Sequence, residues 1–257
     1  MASEDSFSES ERPVIVWFRD DLRLSDNPAL TAAASSGREI ICIFVHDEES
    51  QGIRPLGGAA RWWLHGALQE LDDKLRRLGG RLSVHKGSAP VVIPQLSAHI
   101  RAAAIYWNRR YGRAERRVDE AVKTALKTQR IEARSFNGHL LYEPWSINTK
   151  SGGPFRVFSA FWRAAHETGE PCQPLSAPSR LNTFGASCEQ TLTGIKLADL
   201  ALEPSSPDWA GGLRSSTRQR PRLTRVPLQG LIEASKNSNQ NWAGVSFLTI
   251  FSTIIPR

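Results

Sequence analysis

The sequence predicts an α/β fold: a doubly wound, five-stranded parallel sheet of the Rossmann-like type, followed by a linker and a fragment of a helical domain. Three observations predict it. Short runs rich in β-branched and aromatic residues recur along 13–136. Between them lie segments with helical periodicity and helix-end signals. Successive strands joined through a helix run parallel, because the crossover returns the chain to the same edge.

Residues 1–12 are Ser-rich and acidic and are expected to form a disordered tail. They lack the basic start and apolar stretch of a secretory signal. "PVIVWF" (13–18) is the first strand. Asn27 before Pro28 is an N-cap followed by a residue suited to the first helical turn. That helix runs through "ALTAAASS" and stops at Gly37. "EIICIFVHD" (39–47) is the second strand. Leu64, Leu68, Leu71, Leu75 and Leu78 then form one apolar helix stripe, closed by Gly79 and Gly80. "RLSVH" (81–85) is the third strand, and "VVIPQLSAHIR" a short helix with Pro94 near its first turn. "AAAIYW" (102–107) is the fourth strand, "AERRVDEAVKTALKTQ" a helix, and "IEARSF" (131–136) the fifth strand. These elements make one domain core over 13–136.

Residues 137–170 extend that domain. A turn-rich stretch from Asn148 to Pro154 leads into a helix bearing Phe158, Phe161 and Trp162, a spacing that reads as core. Residues 171–213, dominated by Pro, Ser, Gly and Ala, read as an inter-domain linker over the surface. Residues 214–257 begin with the basic "RSSTRQRPRLTRVP" and end in the apolar "VSFLTIFSTII". An uncharged, β-rich apolar segment needs a partner surface and is otherwise an aggregation hazard.

Composition narrows the function. The chain has 257 residues, 40% hydrophobic and 23% charged, as a soluble globular protein does. No apolar run approaches the ~20 residues of a membrane helix. Cys42, Cys172 and Cys188 are widely spaced without a CxxC pair, which fits a reducing cytoplasm better than a disulfide framework or zinc site. The net charge of +7 draws the protein toward polyanions. No GxGxxG follows the first strand, no GxxxxGK[ST] occurs, and the six His residues show no ligand spacing. Dinucleotide dehydrogenases, P-loop enzymes and zinc hydrolases are thereby disfavoured.

Parallel sheets bind ligands beyond the carboxyl ends of their strands. Two charged stretches fall there: "RDDLRLSD" (19–26) after the first strand and "WNRRYGRAERR" (107–117) after the fourth. The charges of the first stretch either rim a ligand or satisfy one another. Their alternating sign favours the second reading, in which Arg19, Asp21, Arg23 and Asp26 are tied together, with Asp26 or Asn27 capping the helix at Pro28.

Five strings, "VWFRDDLRLSDNPAL", "RWWLHGALQELDDKLRRLGG", "YWNRRYG", "SFNGHLLYEPW" and "GGPFRVFSAFWRA", come in this order between about 14 and 210. Together they resemble the DNA photolyase/cryptochrome family, and within it the bacterial class I photolyases that act on cyclobutane pyrimidine dimers. The resemblance implies an antenna domain holding a reduced folate or a deazaflavin, and a helical domain holding FAD. In that family, light energy passes to reduced FAD, which donates an electron to a flipped-out dimer and splits it.

Residue by residue, the resemblance implies flavin-phosphate contacts at Ser246, Leu248 and Thr249, where hydroxyls and backbone N–H groups meet an anion at a helix start. Val245 stands where the family has Thr, Glu233 where it has Tyr, and Asn237 where it has Arg. Trp242 comes too early in the chain for the family's electron relay. In the antenna site, Glu115 matches the acid of an Asn-Glu pair whose Asn position is Ala114. Glu115 is equally a first-turn helix acid. Arg109, Arg110 and Arg113 either meet the chromophore's carboxylate tail or face solvent. The chain ends before most of the family's flavin helices, so the resemblance implies an incomplete flavin site and absent or weak repair by this chain alone. The competing readings are a chromophore- or nucleotide-binding module without catalysis and a non-functional remnant. A monomer with weak, sequence-independent attraction to DNA is expected, and no membrane association.

Overall fold

The computed structural model describes residues 12–169, 172–183 and 194–216. Five strands, β1 (Val14–Phe18), β2 (Ile40–His46), β3 (Leu82–Lys86), β4 (Ala104–Asn108) and β5 (Glu132–Phe136), form one parallel sheet. Their order is β3-β2-β1-β4-β5. Helices α1 (Pro28–Ser35), α2 (Gly58–Arg77), α3 (Ala89–His99) and α4 (Arg113–Thr128) connect them, and α5 (Phe158–Glu167) follows. The chain divides into two units, Met1–Gly212 and Leu213–Arg257. Of the second unit only the end of α6 (Gly211–Ser216) is described.

Side chains alternating along the strands sort the helices onto two faces. Ile15, Trp17, Ile43, Ile105 and Trp107 pack with Ile93 of α3 and with Val122 and Leu126 of α4. Val14, Val16, Phe18 and Tyr106 pack on the other side with Leu30 of α1 and with Leu71 and Leu75 of α2. Every residue of β1, β2 and β4 is buried, which is why these strands read as unbroken apolar runs. β5 is an edge strand and exposes Glu132.

Helix ends follow local chemistry. Asn27 is extended, and its Oδ1 accepts the Leu30 N–H at 3.1 Å, capping α1 as predicted. Asp26, also a candidate cap, instead adopts a left-handed conformation in the turn before it. α3 begins at Ala89, earlier than the sequence reading placed it, so Pro94 lies inside the helix rather than in its first turn. The start is set from outside: Asp47, just beyond β2, accepts the Ala89 N–H at 3.0 Å.

The α5 aromatics depart from expectation. Their spacing predicts core, but Ala165 is the only buried residue of α5. Phe158 is 49% exposed. The rings pair with one another: Phe158 stacks on Trp162 at 5.9 Å, and Phe161 meets Phe155 edge-on at 6.3 Å.

Part of the 171–213 stretch lies against the domain. The Ile40 N–H donates to the Asn182 carbonyl at 2.7 Å, the Leu181 N–H to Leu78 at 3.0 Å, and the Ile195 N–H to Val84 at 2.8 Å. Thr183 bridges Ile40 in parallel and Ile195 bridges Val84 in antiparallel sense. Leu181 is buried with Leu71 and Leu75, while Leu200 and Leu202 are buried with Phe44, Leu68 and Val84. The acidic tail and the apolar 245–255 segment lie outside the described residues.

Candidate functional site

β1 and β4 are neighbours, yet β1 continues into α1 on one face and β4 into α4 on the other. Their carboxyl ends therefore open the crevice where such sheets bind ligands. Here the protein's own groups fill it.

Arg19 is the first residue after β1. Side chains alternate along a strand, so Arg19 projects to the same face as Ile15 and Trp17, toward α4. There its Nη1 donates to Asp119 Oδ1 at 2.5 Å, and its Nη2 donates to the Asn108 carbonyl. Asp119 also accepts the Trp107 indole N–H at 2.9 Å. The guanidinium lies 4.6 Å over the Trp17 ring. Burial lowers the Arg19 pKa to about 10, with Asp119 pulling it back up, so the group stays cationic at neutral pH.

Asn108, the last residue of β4, links the two chain segments. Its Nδ2 donates to Asp21 at 3.0 Å and to Asn27 at 2.9 Å, and its Oδ1 accepts the Ala29 N–H at 3.2 Å. Arg23 pairs with Asp21 at 3.3 Å and Asp26 at 3.4 Å, and also donates to the Gly138 carbonyl at 2.7 Å. The expected loop network thus holds for Asp21, Arg23 and Asp26. It is corrected for Arg19, whose partner is Asp119 on α4. The signal for Asp119 was its place beside Val118 and one turn before Val122 on the apolar face of α4; an acid there needs a buried cation. Asn108 carried no such signal, since a polar residue ending a strand is ordinary.

What remains at the crevice is a cavity of about 10 Å³, lined by Trp17, Arg19, Asp21, Asn108 and His139 among others. That is room for about one water. A folate or deazaflavin ring system is many times larger, so the residues at this crevice do not fit an antenna chromophore.

The β4–α4 connection forms a more open rim. Arg109 pairs with Glu143 at 3.0 Å, and its guanidinium lies 5.6 Å from the ring of Trp145, which is 60% exposed. The Tyr111 hydroxyl donates to Glu143 at 3.0 Å. Burial, and then the Glu143 carboxylate, push the Tyr111 pKa up. Arg110 meets Asp20 at 3.6 Å. Glu115 lies in the first turn of α4 with its carboxylate folded against Gly112, where a Cβ would collide with it. Ala114 packs toward Gly52, whose added Cβ would stand 3.3 Å from the Ala114 Cβ. Arg109 and Glu115 thus stand at the two ends of one short connection, and the first already has protein partners. Arg113 is exposed. Ser246, Leu248, Thr249, Val245, Glu233, Asn237 and Trp242 lie outside the described residues.

Two histidines lie at the ends of β2 and β3. Burial lowers the pKa of both His46 and His85, with Glu48 partly opposing the shift at His46. No group of His, Cys, Asp and Glu able to hold a metal occurs among the described residues. No described helix is long and apolar enough to cross a membrane.

Residues 14–179 match the family described as DNA photolyase. The chain is 43% identical over 198 residues to a deoxyribodipyrimidine photo-lyase of Agrobacterium fabrum, covering 77% of this chain and 40% of that protein. It is 39% identical over 246 residues to cryptochrome-1 of Arabidopsis thaliana, covering 91% of this chain and 35% of that one. Its fold superposes with a TM-score of 0.73, at 39% identity, on a bacterial class III photolyase from Agrobacterium tumefaciens, covering 83% of this chain and 43% of that one. An archaeal photolyase from Sulfolobus tokodaii, solved with two FAD molecules, gives a TM-score of 0.61 at 25% identity, covering 75% of this chain and 42% of that one. The chain spans less than half the length of these relatives.

Proposed function

Because this chain belongs to the DNA photolyase family, we propose that it serves light-dependent repair of cyclobutane pyrimidine dimers, with its α/β domain as the light-harvesting part. The observation that carries this reading is the match over residues 14–179, which takes in both charged rims at the carboxyl edge of the sheet. Reduced FAD, when bound, supplies the electron that splits the dimer. The contacts implied for it at Ser246, Leu248 and Thr249 fall outside the described residues.

On this reading an antenna folate or deazaflavin meets the outer rim near Arg109 and Glu115, since the switch-point crevice is filled. An anionic chromophore tail at Arg109 competes with Glu143 for the guanidinium. We further infer that the chain alone repairs dimers weakly or not at all. Val245, Glu233 and Asn237, standing where the family has Thr, Tyr and Arg, support that inference. The same departures favour a second reading, a chromophore-binding module without catalysis.

The test is to illuminate the purified protein with dimer-containing DNA, added FAD and a reductant, and to record its absorbance first. A folate or deazaflavin band without a flavin spectrum, and no dimer loss, supports the light-harvesting role. Dimer loss clearly above a no-protein control overturns the inferred inactivity. No chromophore band of any kind overturns the antenna role.

A further inference from the structure

We propose that the outer face of α4 binds the phosphate backbone of duplex DNA. Arg113, Arg116, Arg117 and Lys127 all lie on that face and are all exposed. At 100° per residue they fall within one stripe, opposite the buried Val118, Val122 and Leu126. From first to last the stripe runs about 21 Å along the axis.

None of the four has an ion-pair or side-chain hydrogen-bond partner among the described residues. Exposed Arg77, Lys150, Arg156 and Arg163 are unpaired among the described residues as well, but they are not gathered on one helix face, and other cations of the domain are tied down. Arg19, Arg23, Arg61, Arg76, Arg109 and Arg110 all have carboxylate partners. Glu120 lies within the stripe, and its carboxylate pairs with none of the four. Arg113 repels Arg116 and Arg117 at three- and four-residue spacing, and Glu120, at the same spacings from Arg117 and Arg116, offsets part of that repulsion. Arg presents a forked donor pair suited to phosphate oxygens. A duplex segment as long as the stripe carries on the order of a dozen phosphate charges.

The choice of DNA among polyanions rests on the repair reading above. The surface itself rests on the unpaired charges. It lies on the exterior of the α/β domain, so it would hold the antenna part against DNA flanking a lesion, without reading sequence.

The test uses the whole chain in the dark with an undamaged 20-base-pair duplex, which separates it from repair. Binding is followed by fluorescence anisotropy between about 50 and 200 mM salt. Changing Arg113, Arg116, Arg117 and Lys127 to Gln is expected to weaken binding about tenfold or more and to lower the salt slope by about 3.5 units. A control changing Arg77, Lys150, Arg156 and Arg163 to Gln removes the same net charge from other exposed positions and is expected to cost much less. Equal losses in the two variants overturn the proposal, because the attraction then belongs to net charge. Should the fourfold variant fail to fold, Glu120→Gln decides: tighter binding supports the surface, and unchanged or weaker binding overturns it. Binding to anionic lipid vesicles but not to the duplex also overturns it. If dimers are repaired while the fourfold variant binds as the native chain does, only this proposal fails and the repair reading stands.

Discussion

Arg19 and Asp119, one hundred residues apart in the chain, meet at 2.5 Å with side chains only 4% and 10% exposed. The pair closes the crevice between β1 and β4 and pins α4 to the sheet. It also holds the Trp107 indole N–H through Asp119. Asp119→Ala strands a buried cation and a buried donor together. It is expected to lower stability by about 3–5 kcal/mol, the range for breaking a buried ion pair. Replacing both residues with apolar ones of similar size should restore most of that loss. Urea unfolding of the three proteins measures this, and a single variant within about 1 kcal/mol of native would show the pair to be incidental.

Gly138 sits against the Asn108 side chain: a Cβ added there would lie 2.5 Å from Asn108 Cγ. Asn108 cannot yield freely, because its amide is already bonded to Asp21, Asn27 and the Ala29 N–H. Gly138→Ala is expected to destabilise by about 1–3 kcal/mol, as overpacking does. In an Asn108→Ala background the same change should cost far less. Additive losses in this double-mutant cycle would refute the contact.

Burial holds His46 and His85 below their ordinary value of 6.5. The unfolded chain then takes up protons that the folded chain refuses, so stability rises with pH through this window. The contribution is complete above about pH 6.5 and is lost as pH falls below it. Melting temperature should be flat from about pH 8 to 7 and decline from about 6.5 downward. His85→Phe, which removes a group shifted by burial, should make that decline shallower. Glu48 acts in a separate, more acid window. Burial raises its pKa, but the Leu56 N–H, His46 and Arg61 hold it below 4.5. An unchanged pH profile in His85→Phe would remove His85 from the account.

Cys42 lies in the middle of β2, and burial pushes its thiol up to about 12. The thiolate is the nucleophile, so this residue should resist alkylation in the native protein at pH 8. Cys172 is exposed and should react. Mass mapping after brief iodoacetamide treatment distinguishes them. Rapid labelling of Cys42 before unfolding would mean that β2 opens locally.

Legibility in the sequence followed the range of the interactions. The five strands were readable to within two residues because β1, β2 and β4 are buried on both faces and leave an uninterrupted apolar signal. The α1 cap was readable because Asn27 acts on its own next turn. The Arg23 ties to Asp21 and Asp26 span only a few residues and were visible as alternating charge. The partner of Arg19 was not visible, since pairing across one hundred residues depends on which face each element presents. The start of α3 was missed for the same reason: Asp47, which fixes it, belongs to another element. The α5 aromatics misled because spacing reports which residues share a face, not whether anything covers that face.

The strap formed by Leu181, Leu200 and Leu202 redraws what counts as one transferable module. Those leucines complete the hydrophobic surface of α2, β2 and β3, filling seats that the five strands and four helices leave open. A gene segment cut after β5 would encode a recognisable sheet with three exposed apolar seats. One carried through residue 210 would include the side chains that fill them. Grafting this domain onto another protein therefore means carrying its Pro- and Ser-rich exit along with it.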